Sequence, residues 1–377
     1  MQTDEYFQKY LKYKNKYVML KNLSITSSKN EVNISGGKPR TYILYTEHID
    51  LHIEYFEEIM KKNGWHQKDM SSKYVDLVFL DAGERKRLNT WKQLWNIQCF
   101  AKNIFSDDKE IITNKCTLHY QLQKYNIKQY LPTTYELSEI PKTEMEGIWI
   151  IRPCGIGFSS GSGIVRIHDK NQLLKLQEEY IKSKGTKPKH EQYKRYKDEY
   201  VEKIASHYIE NPLLFNGLKC HFRMYLLISL YPTYMFSLWS IGKILTAKKP
   251  YVNNNYGDNE IHDTHMGSTK ENYFFPKDLW KLGVSKEKTT SMWNQMNEVC
   301  DVVSQIFKPH ANTYPESKTC FEVFGLDFMA DDQHHIYLIE VNDKVGYGGA
   351  KDDKKFHSFS KKYFQWVYDM VIKQIKN

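Results

Sequence analysis

The chain has 377 residues, 41% hydrophobic and 14% aromatic, which excludes a disordered composition and leaves room for more than one compact unit. A formal net charge of +9 points to an anionic partner: a nucleotide, a nucleic acid or an acidic polypeptide. The six cysteines show no CxxC pair and no zinc spacing, so they read as reduced core residues of a cytoplasmic protein, and MQTDEYFQKYLKYKNKY is too charged for a signal peptide.

Along the chain, Tyr6, Tyr10, Tyr13, Tyr17 and Leu20 fall at helical spacing, and a polar linker then ends in Gly36-Gly37. Residues 1–38 are predicted as a Tyr/Lys helix and tether outside the main fold. This pattern resembles N-terminal extensions of giant DNA virus proteins. Residues 39–130 read as an N-terminal α/β domain, with YILYT a strand, IDLHIEYFEEIMKKNGW a helix ending near Gly64, and YVDLVFL a second strand. Helical stretches are expected around Thr90–Phe105 and Asn114–Tyr125.

A central domain, 131–211, holds the strand GIWIIRP, a glycine-rich loop, the strand GIVRIHD and a helix from about Asn171. Seven Lys or Arg then fall between Lys182 and Lys197, which suits a solvated face or a docking patch for an acidic partner. A third domain, 212–377, is strand-rich and closes on the helix KKYFQWVYDMVIKQIK. Met224 to Gly242 runs nineteen residues without a charge, long enough to span a bilayer. Pro232 interrupts it, so MYLLISL and TYMFSLW are predicted as buried strands about a turn, with no membrane span.

Three stretches carry chemistry. The glycine loop from Arg152 to Gly163 sits between two strands, with no Gly-Lys-Ser/Thr and no following helix, so it is neither a Walker loop nor a dinucleotide fingerprint. It reads either as a flexible hairpin or as a flap whose backbone N–H groups reach phosphate. Next, Asn216-Gly217 signals a tight turn, after which Lys219, His221 and Arg223 alternate on one strand face. That face suits an anion, or solvent if the strand lies at an edge. Last, FEVFGLDFMADDQHHIYLIEVND reads as a hairpin with its turn at Gln333-His334, which sets Asp327 opposite Glu340 and puts Asn342 on the same face. Two carboxylates and an amide would repel without a cation, and hard oxygen ligands suit Mg²⁺.

With these residues in view, the chain resembles the tubulin tyrosine ligase-like family of the ATP-grasp superfamily. The resemblance is carried by WIIRP with GSGI, SHYIENPLLFNGLKCHFRMYLLIS, IHDTH and FEVFGLDFMADDQHHIYLIEVND, and covers roughly residues 41–376. It implies an α+β or α/β ATP-grasp fold with a smaller N-terminal α/β domain. It also implies Mg²⁺ and ATP, with Asp327, Glu340 and Asn342 as metal ligands. The nucleotide falls to Arg152, Ser160, Gly161, Gly163, Tyr208, Ile209, Lys219 and Arg223, and catalysis to Arg223, Glu340 and Lys219. The amino-acid substrate falls to Lys115, Lys243, Thr264 and His265.

The implied activity is ligation of Glu, Gly or Tyr to an acidic protein tail, tubulin being the type acceptor, through an acyl phosphate. The partners are then that tail and a free amino acid, with a monomeric enzyme, no nucleic acid and no membrane.

Four features depart from the family pattern. Arg152 replaces a lysine, and the glycine loop is about two residues longer. His221 replaces an aspartate. Leu245 and His265 replace an arginine and an asparagine, and Lys243 stands ready to supply the missing cation. These departures leave a second reading, a pseudoenzyme that binds nucleotide or an acidic tail without ligation.

Overall fold

The computed structural model describes residues 39–46, 52–81, 98–103, 110–125, 127–154, 165–167, 169–184, 203–230, 234–267, 272–274, 279, 283–311, 319–343, 345 and 353–375. The N-terminal Tyr/Lys helix, the glycine loop with Ser160, Gly161 and Gly163, and most of the basic run lie outside them.

The first elements are β1 (Thr41–Thr46), α1 (Glu54–Lys62), β2 (His66–Gln67), β3 (Tyr74–Asp81), β4 (Gln98–Lys102), α2 (Glu110–Thr113) and α3 (Lys115–Leu122). The middle of the chain supplies β5 (Thr134–Glu136), β6 (Trp149–Pro153), β7 (Val165–Ile167), α4 (Lys170–Lys184), β8 (Lys203–His207) and β9 (Leu214–Phe215). Then come β10 (Leu218–Ser229), β11 (Met235–Leu238), β12 (Gly242–Pro250), α5 (Asn259–His262) and β13 (Asn272–Phe274). The chain closes on α6 (Lys286–Ala311), β14 (Thr319–Ala330), β15 (Ile336–Asn342) and α7 (Lys354–Met370).

Two sheets form. The larger runs β13-β12-β10-β14-β4-β3-β1-β2, with β9 and β11 also on β10 and β15 on β14. The smaller runs β5-β8-β6-β7 and is antiparallel. β1, α1 and β3 make the expected strand–helix–strand unit, its strands parallel. The parallel pairing of β14 with β4 places strands from 39–130 and from 212–377 in one sheet.

The residue alternation of β10 and β14 decides what covers each face. Phe222, Met224, Leu226 and Ile228 on β10, with Phe324, Leu326 and Phe328 on β14, pack with Met292, Met296, Val299, Val303 and Phe307 of α6. Tyr225, Leu227, Phe321 and Val323 point the other way and pack with Phe356, Phe359, Tyr363, Phe364 and Val367 of α7. A sheet covered on both sides needs apolar residues at both parities, which explains the uncharged run after Met224. That run is β10 and β11, paired antiparallel, and no helix among the described residues is long and apolar enough to cross a membrane.

Three expectations are corrected. Within the helix placed at 90–105, Gln98–Lys102 is strand β4, held between β3 and β14, and residues 90–97 and 104–105 lie outside the described residues. The 26-residue helix α6 was not anticipated within a strand-rich region. Two cysteines are not reduced, since Cys116 and Cys154 form a disulfide across 38 residues. Cys220 and Cys300 are free and buried, and burial pushes the Cys220 thiol up to about 12.

Candidate active site: a cation-lined cleft between two sheets

Asn216 and Gly217 both have positive φ, at 52° and 77°, and Leu218 pairs with Phe215 across them. This is the two-residue turn that the Asn-Gly pair predicts, and it launches β10 in a fixed register. Lys219, His221 and Arg223 share one face, and all three are buried. They continue the Tyr225–Leu227 side of the strand beyond the reach of α7.

Arg223 makes a two-pronged contact with Asp327 on the neighbouring strand: Nε donates to Oδ1, and Nη2 donates to Oδ2 at 2.9 Å. Its Nη1 donates to the Val345 carbonyl at 3.0 Å. Burial works against the guanidinium charge, but Asp327 more than offsets it and raises the pKa. Gly325 provides the room, because a Cβ there would meet Arg223 Cδ at 3.1 Å and Nη1 at 3.3 Å. Lys243 lies opposite Arg223 on β12, and Leu245 lies opposite His221.

The hairpin has the expected register, Asp327 against Glu340, but for an added reason. Phe328 pairs with Leu338 while Asp327 pairs with Glu340, so Ile339 is bulged out of the ladder. One extra residue reverses the parity of the strand beyond it. Ile336 and Leu338 pack in the α6 core, whereas Glu340 and Asn342 turn to the side of Asp327. Asn342 Nδ2 lies 3.2 Å from both Asp327 Oδ2 and Glu340 Oε1, so the three side chains converge.

The repulsion expected between the acids is met within the protein. Arg223 neutralises Asp327, and Lys115 Nζ lies 3.0 Å from Glu340 Oε2. Lys115 opens α3, where the Asn114 side chain caps the helix by accepting from the backbone N–H of Cys116 and Thr117. Burial would raise the Glu340 pKa, but Lys115 and Arg152 more than offset it and hold the carboxylate ionised.

The smaller sheet forms the opposite wall. Arg152 pairs with Ile204 and Arg166 with Ile150, which puts both guanidinium groups on one face. Arg152 Nη1 donates to the carbonyl of the bulged Ile339 at 3.0 Å, and Nη2 to Ser206 Oγ at 3.2 Å. Arg166 Nη1 donates to Asn259 Oδ1 at 2.7 Å. The Nε groups of Arg152 and Arg166 are buried with no hydrogen-bond partner, and burial lowers both pKa values.

Lys219 Nζ donates to Tyr208 Oη at 2.8 Å, and Tyr208 Oη lies 2.7 Å from His262 Nδ1. Burial, with Arg166 nearby, pulls the Lys219 pKa well down. Ile209 follows Tyr208 just past β8, where Tyr208 N donates to the Ile148 carbonyl at 2.9 Å. Thr264 is buried, and its Oγ1 lies 2.6 Å from His221 Nδ1. His265 is more open, with Nδ1 3.2 Å from Asp263 Oδ1. Asp263 raises the His265 pKa against the effect of burial.

The structure therefore brings together Arg152, Lys219, Arg223, Asp327, Glu340, Asn342 and Lys115, with Tyr208, Ile209, Lys243, Thr264 and His265 on the adjoining walls. Sequence reasoning missed Ser206, Arg166, His262 and Asp263. All four stood inside quoted stretches, SHYIENPLLF, GIVRI and IHDTH; the partners of Ser206, Arg166 and His262 are distant in sequence, whereas Asp263 meets His265 two residues on.

The sequence model of the tubulin-tyrosine ligase family matches residues 87–344, more than half the chain and the whole stretch that builds both walls. The chain belongs to the tubulin-tyrosine ligase family. A probable tubulin polyglutamylase of Caenorhabditis elegans is 22% identical over 358 residues, covering 85% of this chain and 78% of the relative. A probable alpha-tubulin polyglutamylase of Tetrahymena thermophila is 27% identical over 205 residues, 52% of this chain and 47% of the relative. A tubulin glycylase of the same organism is 23% identical over 216 residues, 54% of this chain and 22% of its own length. Within this tubulin-tyrosine ligase family chain, the matched residues include Lys115 and both strands of the Asp327–Asn342 hairpin.

Proposed function

We propose that this chain is an ATP-dependent carboxylate–amine ligase of ATP-grasp type that joins an amino acid to an acidic protein tail, with tubulin as the model acceptor. The observation that carries the reading is the cleft itself. Buried Arg152 and Arg223 act on a pair of converging carboxylates, buried Lys219 and half-buried Arg166 line the adjoining wall, and Arg152 and Arg166 each hold an unsatisfied Nε–H donor. Buried donors without partners are costly, and an anion such as a triphosphate satisfies them.

Asp327, Glu340 and Asn342 fit a hard divalent ion, because the three side chains converge and each carries an oxygen, Asn342 presenting Oδ1 once its amide turns over from the Nδ2 contacts it makes with both carboxylates at 3.2 Å. Bound there, Mg²⁺ would neutralise phosphate charge as the terminal phosphoryl group is transferred. The chain's own part is to position and neutralise. Lys219, Arg152 and Arg223 hold phosphate oxygens, and Lys115 keeps Glu340 ionised. In the reaction, a carboxylate oxygen attacks the terminal phosphorus and ADP departs. The amine then attacks the acyl carbon, phosphate leaves and the amine gives up a proton.

The net charge of +9 and the basic run between Lys182 and Lys197 support an acidic acceptor. The names of the relatives support glutamate or glycine as the added residue. The test is incubation with ATP, Mg²⁺, labelled Glu, Gly or Tyr, and tubulin. Transfer of label that Glu340→Gln abolishes is the expected result. ATP binding without transfer to any acceptor would establish the pseudoenzyme reading in its place.

A further inference from the structure

A second cation chemistry adjoins the oxygen-lined wall. His221, His265 and Asp327 each offer one ligand atom, and these atoms all lie within 4.8 Å of one another. We propose that His221 Nε2, His265 Nε2 and Asp327 Oδ1 form a site for a borderline divalent cation of the zinc class.

The two rings are held as metal-binding imidazoles are held, by an oxygen on the other nitrogen. His221 Nδ1 lies 2.6 Å from Thr264 Oγ1, and His265 Nδ1 lies 3.2 Å from Asp263 Oδ1. This leaves each Nε2 for the ion. His221 Nε2 is buried without a hydrogen-bond partner in a residue only 3% exposed. It stops 3.6 Å from Asp327 Oδ1, beyond hydrogen-bond reach but suited to two ligands on one ion. The rings are 4.9 Å apart at 46°, splayed rather than stacked. Arg223 Nε donates to the same Oδ1 and leaves that oxygen a second lone pair.

Two imidazoles and one carboxylate favour zinc, cobalt or nickel over magnesium, whereas Glu340 and Asn342 keep the harder oxygen chemistry. Asp327 belongs to both sets. If the ligase reading holds, an ion on the histidine side therefore draws away a carboxylate that the magnesium side needs and slows turnover.

The site itself is testable without turnover. The full chain, free of nucleotide, is titrated with Co²⁺ and followed by visible absorption. The expected result is intense d–d bands of a low-symmetry site that saturate at one ion per chain. Zn²⁺ abolishes them, and excess Mg²⁺ does not. His265→Ala, at a partly exposed position, should weaken binding at least tenfold, and Asp263→Ala by about tenfold through loss of the ring's anchor. His357→Ala probes the separate His52, Glu54 and His357 cluster and should change nothing.

Absent bands overturn the proposal, as do bands that survive His265→Ala or vanish in His357→Ala. Binding of Mg²⁺-ATP by the same preparation separates the two readings. ATP binding without the cobalt signal sinks this site alone, and the cobalt signal without ATP binding sinks the ligase reading alone.

Discussion

Glu340 faces Asp327 across two antiparallel strands because Ile339 is pushed out of the ladder between them and the core-facing Leu338. Deleting Ile339 would close the bulge and make Glu340 the direct neighbour of Leu338, on the opposite face, so Glu340 would still stand opposite Asp327. The deletion removes the carbonyl that accepts from Arg152 Nη1, and a buried donor left without its partner costs about 1–3 kcal/mol. The urea midpoint should fall modestly while Mg²⁺-ATP still binds. Equilibrium unfolding and calorimetry check this, and complete loss of Mg²⁺-ATP binding would contradict the bulge.

Gly325 leaves space for Arg223, with only 3.1 Å between its missing Cβ and Arg223 Cδ. Gly325→Ala should push the guanidinium off Asp327. Overpacking of this kind costs about 1–3 kcal/mol of stability. ATP affinity should fall about tenfold, equal to about 1.4 kcal/mol. A variant that binds ATP normally would show that Arg223 has other room.

The Cys116–Cys154 disulfide joins the start of α3 to the end of β6, where Lys115 N also donates to the Cys154 carbonyl at 3.1 Å. Non-reducing peptide mapping should recover the linked peptides. Reduction, or the Cys116→Ser/Cys154→Ser pair, should cost about 2–4 kcal/mol by freeing the unfolded chain. Melting curves with and without reductant read the difference, and free thiols at both positions in the folded protein would refute the link.

Burial raises Tyr42, Tyr130, Tyr234 and Tyr337 to about 12, with carboxylates adding to the effect at each. A raised tyrosine pKa contributes stability that is fully present below the unfolded value near 10 and is lost as pH rises through about 12. Ultraviolet titration of the folded protein should therefore show a late phase that moves down to about 10 in denaturant. Ionisation of all tyrosines near 10 without unfolding would count against this packing.

The Asn216-Gly217 turn and the Lys219–His221–Arg223 face were legible because each rests on neighbours along the chain or on period-two alternation. The Asp327–Glu340 pairing was reached from a turn centred at Gln333-His334; the turn centres on Gln333, and the bulge at Ile339 makes up the difference. That bulge was not legible, since the same letters read as an unbroken strand. β4 was mistaken for helix because a five-residue strand with polar ends, QCFAK, is too short for periodicity to separate the two. Cys116 and Cys154 carried no signal, because only the folded chain brings their Cα atoms to 5.2 Å. The partners of Arg166 and His262 were hidden for the same reason.

The two faces of β10 also sort natural variation. A change at Phe222, Met224, Leu226 or Ile228 meets the α6 core and will show first as lost yield or solubility. A change one step away, at Lys219, His221 or Arg223, meets the cleft and will leave an abundant protein with altered chemistry. Over the first half of this strand, whether a residue number is odd or even tells a geneticist which assay to run first.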